Sequence, residues 1–150
     1  MKIKRIIYTT LLIIWMIVIF MFSNQGGNKS KSTSDKVTST IIDKMEVVTK
    51  QDVTKEEKHS LIEDTRVFVR KFAHFFLYFV LGVFSCLTFR SYGINKNILV
   101  YSILFCFVYA CSDEVHQMFS DGRTFKFLDI FIDTIASTTS NFICLYFIKR

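Results

Sequence analysis

The sequence predicts an all-α membrane protein in which about four transmembrane helices form a bundle with one long external segment. The 150 residues are 51% hydrophobic, and the apolar residues form long blocks instead of one face of each element. Four of these blocks approach the roughly 20 residues that a helix needs to cross a hydrocarbon core of about 30 Å. On one side of the blocks the flanking residues are basic without any acidic ones, as in proteins oriented in a bilayer.

The first predicted span covers residues 6–22 and follows the basic residues Lys2, Lys4 and Arg5. A secretory signal peptide is the alternative for a block in this position. The block is longer than a usual signal core, however, and residues 22–25 contain no small-x-small cleavage site. We therefore predict a retained signal-anchor helix.

The external segment, residues 23–71, is rich in Lys, Ser, Thr, Asp and Glu. It contains apolar residues spaced by four and three, which predict an amphipathic helix: Val37, Ile41, Met45 and Val48. Thr54 and Glu57 have the spacing of a capping box and predict that a second helix starts there. The composition fits helices lying on the membrane surface and also fits a solvated connector.

The remaining spans are predicted at residues 72–89, 98–119 and 125–147. The third is purely apolar only as far as Cys111, which is too short to cross the bilayer. It must continue to about Phe119, and this extension carries acidic and amide side chains into the edge of the membrane.

The distribution of basic residues predicts the orientation. With four spans, both termini and the loop between the second and third spans share one side. That side holds seven basic residues and no acidic ones: Lys2, Lys4, Arg5, Arg90, Lys96, Lys149 and Arg150. The positive-inside rule then places both termini in the cytoplasm of a cell-membrane protein. This explains the net charge of +6 without a nucleic-acid partner.

Cysteine usage gives no sign of a disulfide framework or a zinc site. Cys86, Cys106, Cys111 and Cys144 all fall in apolar segments, without CxxC or Cys/His spacing. We predict small apolar residues in helices, no cofactor and no metal. A metal site built from the histidines and carboxylates is the alternative, but no recognised spacing supports it.

Ionisable residues from three spans are predicted to lie at one depth. His74, Asp113 and Asp133 each lie about 21–23 Å from the cytoplasmic edge at 1.5 Å per residue. Charged groups inside a membrane cost about 2.5–3.5 kcal/mol on insertion scales, so they normally face the bundle interior and pair. We expect a polar pocket that opens outward. Candidate catalytic residues are His74, Asp113, Glu114 and His116. Candidate ligand-binding residues are Arg70, Lys71, Gln117, Arg123, Asp129 and Asp133.

Three sequence blocks resemble the VanZ-like family of bacterial membrane proteins. They are FSNQ at 22–25, RKFAHF at 70–75 with Tyr78 and Leu81-Gly82, and SDEVHQ at 112–117 followed by Gly122-Arg123 and Asp129. The chain departs from the family at Asp121, where a Pro is usual, and at residues 136–140, where glycines are common. The resemblance implies an envelope protein associated with resistance to teicoplanin-type glycopeptides, and it adds Tyr78 to the ligand-binding candidates.

Several interpretations of these residues stay open at this stage. The pocket would bind or protect a membrane lipid or lipid-linked envelope-precursor head group, with Arg70, Lys71 and Arg123 on phosphate. Alternatively, an intramembrane enzyme would use a histidine as general base. A small transporter is disfavoured because no ionisable residues lie deeper in the spans. The structural alternatives are a hydrogen-bonded His74 that holds helices together, and basic side chains that snorkel to the interface.

Overall fold

A computed structural model describes residues 2–24, 39–40, 55–119 and 125–149, in which every regular element is a helix. The four long helices are α1 (Lys2–Ser23), α2 (Lys55–Ser91), α3 (Ile98–Gln117) and α4 (Phe127–Lys149). Residues 39 and 40 are also helical. The all-α prediction is therefore confirmed. The apolar positions that predicted an amphipathic helix lie outside the described residues: Val37, Ile41, Met45 and Val48.

Each long helix contains a segment that is long and apolar enough to cross a membrane. The segments are Lys2–Ser23, Val67–Ser91, Ile98–Gln117 and Phe127–Ile148. The predicted boundaries differ by a few residues. The second segment starts earlier because α2 is continuous, and the third stops at Gln117 because Met118 and Phe119 form a turn.

Helix α2 is much longer than a membrane span. Its described part begins at Lys55, and Thr54, where the capping-box spacing predicts a helix start, lies outside the described residues. Its 37 residues correspond to about 55 Å of helix. The part before Val67 therefore extends the helix about 18 Å beyond the membrane-spanning segment.

Helix α2 is the centre of the bundle, since it contacts α1, α3 and α4. Helix α1 also contacts α3, and within the described residues it has no contact with α4. Helices α1 and α4 therefore lie on opposite sides of the α2–α3 pair. This arrangement lets α2, α3 and α4 enclose a common interior.

Both termini and the α2–α3 loop lie at one end of the bundle, called here the basic end. Arg5 Nε donates a hydrogen bond to the Ser91 carbonyl oxygen at 2.8 Å, and its guanidinium lies 5.5 Å from the centre of the Tyr92 ring. Tyr146, near the end of α4, lines a pocket together with Asn97 of the loop. The α3–α4 connection lies at the opposite end, called here the site end.

Helices α2 and α4 approach each other closely at Gly82. A Cβ atom at this position would lie only 2.6 Å from the Ser137 carbonyl oxygen and 2.9 Å from the Ser137 Cα. Ala136, Ser137 and Ser140 are fully buried on the facing side of α4. This small-residue face of α4 is therefore buried in the bundle.

The bundle exposes large apolar side chains and buries many polar ones. Outward-facing residues such as Ile17, Val100 and Phe131 are more than half exposed, which suits contact with acyl chains. Inside, Ser85 and Ser102 hydrogen-bond each other between α2 and α3. This inverted distribution supports a lipid environment for the four helices.

Candidate functional site

The site end buries four carboxylates from two helices. Asp113 and Glu114 come from the last turns of α3, whereas Asp129 and Asp133 come from the first turns of α4. Their exposed fractions are 5%, 1%, 8% and 1%. The short α3–α4 connection brings these two helix ends together, and Asp133 interacts electrostatically with the other three carboxylates.

Helix α2 supplies two basic residues that pair with this cluster. The Arg70 guanidinium lies 3.7 Å from the Asp129 carboxylate, and the His74 Nδ1 lies 3.9 Å from the Asp133 carboxylate. The two pairs form on one face because residues four apart on a helix lie one turn apart: 70 and 74 on α2, 129 and 133 on α4. The two pairs, called here the α2–α4 ladder, therefore join α2 to α4 over two helical turns.

A pocket lies beside this ladder. It is lined by Arg70, Lys71, His74, Asp129, Ile132 and Asp133. Its cavity volume of about 10 Å³ leaves room for about one water molecule. A lipid head group therefore does not fit inside the pocket as it stands, and it would have to bind at the mouth.

The other two carboxylates of the cluster have partners outside the ladder. Asp113 accepts a hydrogen bond of 3.1 Å from the Gln117 amide, one turn further along α3. Glu114 Oε2 accepts a hydrogen bond of 3.0 Å from the Lys126 backbone N–H, just before α4. Glu114 thus fixes the start of α4 against α3, which is a structural role in addition to any chemical one.

Tyr78 lies deeper in the bundle, one turn below His74. It is fully buried and interacts electrostatically with Asp113 and Asp133. Its ring is 6.2 Å from that of Tyr109, whose hydroxyl donates to the Met16 carbonyl oxygen at 2.7 Å. Tyr78 therefore forms the floor of the carboxylate cluster.

His116 lies away from the pocket. Its ring packs against Phe20 of α1, with ring centres 4.3 Å apart, and its Nε2 is buried without a hydrogen-bond partner among the described residues. The two histidines therefore lie on different sides of the bundle, and only His74 lines the pocket. Arg123, another predicted ligand-binding residue, lies outside the described residues.

Acidic groups outnumber the basic groups paired with them in this cluster. Four buried carboxylates are accompanied by one Arg–Asp pair and one His–Asp pair in the described part of the chain. Within the same residues, no group of three or more His, Cys, Asp and Glu side chains is arranged to hold a metal ion. Because carboxylates accept hydrogen bonds, the cluster suits hydroxyl and amine groups that donate them.

The profile of the VanZ/LLP1 family matches residues 8–148 of the chain. The chain belongs to the VanZ/LLP1 family. No curated protein and no solved structure matches it. Because the match covers nearly the whole chain, the resemblance inferred from the sequence blocks is confirmed. With its four candidate spans, the chain is a VanZ-family multi-pass membrane protein.

One departure from the VanZ pattern can be placed in the structure. Residues 136–140, where glycines are common in the family, lie in α4, and Ser137 among them faces Gly82 of α2 closely. Asp121, which replaces a Pro, lies outside the described residues.

Two parts of the site had not been predicted. Ile132 lines the pocket, and its position three residues after Asp129 on the same helix would have pointed to it. The Lys126 backbone N–H also belongs to the site, because it donates a hydrogen bond to Glu114. Any non-proline residue has this group, so no sequence signal marks it.

Proposed function

We propose that this VanZ-family protein binds the head group of a membrane lipid or lipid-linked cell-wall precursor at the outer face of the cell membrane. The observation that carries the proposal is the Arg70–Asp129 pair at the mouth of the pocket. The Arg70 side chain is 32% exposed, whereas that of Asp129 is only 11% exposed. A buried carboxylate thus orients a guanidinium whose remaining donors can bind a phosphate.

The charges of the site favour a particular kind of head group. Arg70 and Lys71 offer cationic donors at the mouth, and the carboxylates beneath them accept hydrogen bonds. A simple phosphate would be repelled by those carboxylates, whereas a head group that also carries hydroxyl or amine groups would satisfy both sets. Sugar- or amino-acid-bearing precursors have this chemistry. Masking such a precursor is how the protein would contribute to teicoplanin-type resistance.

The proposed orientation places both termini in the cytoplasm and the site end outside. Its support is the basic end, where Lys2, Lys4, Arg5, Arg90 and Lys96 gather without an acidic residue. The pocket would then open toward the external medium, where lipid-linked precursors are used.

Ligand-induced thermal stabilisation tests the binding proposal. Purified protein in neutral detergent is mixed with farnesyl diphosphate or with short-chain phosphatidylglycerol, whose head group carries hydroxyls. Since a ligand that binds only the folded state stabilises it by RT ln(1 + [L]/Kd), the melting temperature should rise with phosphatidylglycerol. Arg70→Gln should reduce the rise, and Lys96→Gln, at the basic end, should leave it unchanged. Equal rises in all three proteins would refute the proposal.

A second candidate is an intramembrane hydrolase, favoured by the His74–Asp133 pair beside room for one water. In this role His74 would take a proton from the water and the carboxylates would orient the imidazole. Phosphate release from the diphosphate, or a new lipid product by mass spectrometry, would support it. The activity should disappear in His74→Gln while phosphatidylglycerol binding persists. Absence of any product with the unsubstituted protein would rule the candidate out for these substrates.

A further inference from the structure

A second cavity lies at the basic end, far from the pocket described above. It opens between the beginning of α3 and the end of α4 and has a volume of about 730 Å³. This volume is in the range of pockets that hold small-molecule ligands, about 300–1,000 Å³. Unlike the pocket at the site end, this groove can accommodate part of a lipid.

The groove has a polar rim and an apolar wall. Its rim contains Arg90 at the end of α2 and the amides Asn95 and Asn97 in the loop. Its wall is formed on α4 by Phe142, Leu145 and Tyr146. These three residues share one helix face because they are spaced by three and four positions. The rim lies toward the end of the bundle and the wall extends into the membrane-spanning part.

Arg90 is the charged group available to a ligand there. Neither ion pair in the described part of the chain involves Arg90. The neighbouring Arg5 is occupied by the Ser91 carbonyl oxygen and the Tyr92 ring. The loop, residues 92–97, contains no acidic residue. A ligand's negative charge is therefore the available partner for Arg90.

We propose that this groove binds an anionic phospholipid of the leaflet at the basic end. The phosphate would lie at Arg90, the Asn95 and Asn97 amides would donate hydrogen bonds to head-group oxygens, and one acyl chain would lie along the α4 wall. Basic pockets between transmembrane helices recognise anionic lipids by this combination. A second copy of the chain fits less well, because a two-fold contact centred on Arg90 would bring two like charges together.

The test places a fluorescent probe in the groove. In a Trp15→Phe background, Tyr146→Trp reports on the groove, and Phe147→Trp is the matched control. Position 147 is one residue further along α4, at nearly the same depth, but it is not part of the groove lining. Each variant is reconstituted in phosphatidylcholine vesicles with brominated phosphatidylglycerol or brominated phosphatidylcholine at equal mole fraction, and fluorescence quenching is measured.

We expect Tyr146→Trp to be quenched with about fivefold higher apparent affinity by the anionic lipid, which corresponds to one basic group at the membrane surface. Phe147→Trp should show nearly equal quenching by both lipids. Adding Arg90→Gln should remove the preference at 146, whereas adding Arg70→Gln should leave it. Equal preference at 146 and 147 would indicate general charge attraction and overturn the proposal. Weak quenching of Tyr146→Trp by both lipids would indicate a protein occupant and overturn it too.

Mass spectrometry of retained lipid provides a second measurement. Protein purified from a mixed membrane should retain phosphatidylglycerol in preference to phosphatidylethanolamine, and Arg90→Gln should retain about one phosphatidylglycerol fewer than the unsubstituted protein. Retention of neither lipid, or of both in proportion to their abundance, would contradict the proposal.

Discussion

The Arg70 guanidinium lies 3.7 Å from the Asp129 carboxylate and joins the central helix α2 to the first turn of α4. One turn deeper, His74 faces Asp133 in the same way. These two pairs hold together a cluster in which carboxylates outnumber their basic partners. The stability and the chemistry of the site end therefore depend on the same few side chains.

The Arg70–Asp129 pair should show a favourable coupling in a double-variant cycle. Arg70→Gln and Asp129→Asn each remove one partner and leave the other unpaired. The sum of their two losses in unfolding free energy should therefore exceed the loss in the double variant, in which no partner is left unpaired. Residues in direct contact couple by about 0.5–3 kcal/mol. Reversible unfolding in mixed micelles measures this coupling. Additive effects would show that the two side chains act independently.

Gly82→Ala should destabilise the bundle, because its new Cβ would meet the backbone of α4 at Ser137. Overpacking of this kind costs about 1–3 kcal/mol. Gly93→Ala is the control: position 93 has open space around it, but its φ of +87° puts strain on any side chain. That control should cost about 1–2 kcal/mol. Thermal unfolding measures both losses, and the absence of any loss at position 82 would contradict the close approach of α2 and α4.

The lengths of the spans and the depth of the polar cluster could be predicted from the sequence, because both depend only on distance along the helix axis. Hydropathy gives the length of each span, and 1.5 Å per residue gives the depth of His74, Asp113 and Asp133. The rotation of each helix about its axis is not contained in this information. The sequence therefore gave equal weight to His74 and His116, although the latter packs against Phe20.

The pairing of residues within the cluster also depends on three-dimensional packing. Asp133 pairs with His74, while Asp113 is engaged by Gln117. This choice follows from the α2–α4 contact at Gly82, which brings one face of each helix together. The size of the pocket is fixed in the same way, by side chains such as Ile132 whose position no motif indicates.

Asp133→Asn should stabilise the protein while it impairs the function of the site. Asp133 is 1% exposed and lies near three other carboxyl groups, so a neutral isostere removes the cost of burying an ionisable group inside the membrane. We expect a higher melting temperature together with weaker phosphatidylglycerol binding. Stabilising changes at strained functional sites commonly have this cost. A lower melting temperature would show that the His74–Asp133 pair stabilises the folded protein by more than the burial of Asp133 destabilises it.

Replacing Glu114 with Gln, which keeps a hydrogen-bond acceptor, should cost less stability than truncating it to Ala. Its Oε2 accepts the Lys126 N–H, and Gln at this position retains a carbonyl oxygen for that bond. Glu114→Ala leaves the backbone donor unpaired, a loss of about 1–3 kcal/mol. Hydrogen exchange of the Lys126 amide should accelerate in Glu114→Ala and remain slow in Glu114→Gln. Equal acceleration in both variants would mean that the carboxylate charge, not the acceptor, fixes the start of α4.

The orientation of the bundle can be measured with single cysteines at its two ends. In a background where the four native cysteines are replaced by Ser or Ala, Lys96→Cys reports on the basic end and Lys126→Cys on the site end. Both positions are exposed and lie in short connections at the ends of the spans. Because positively charged loops remain in the cytoplasm, a membrane-impermeant maleimide added to intact cells should label position 126 and not position 96. Permeabilised cells should label both, which controls for reactivity. Labelling of position 96 alone in intact cells would reverse the topology, and the pocket beside Arg70 would then open to the cytoplasm.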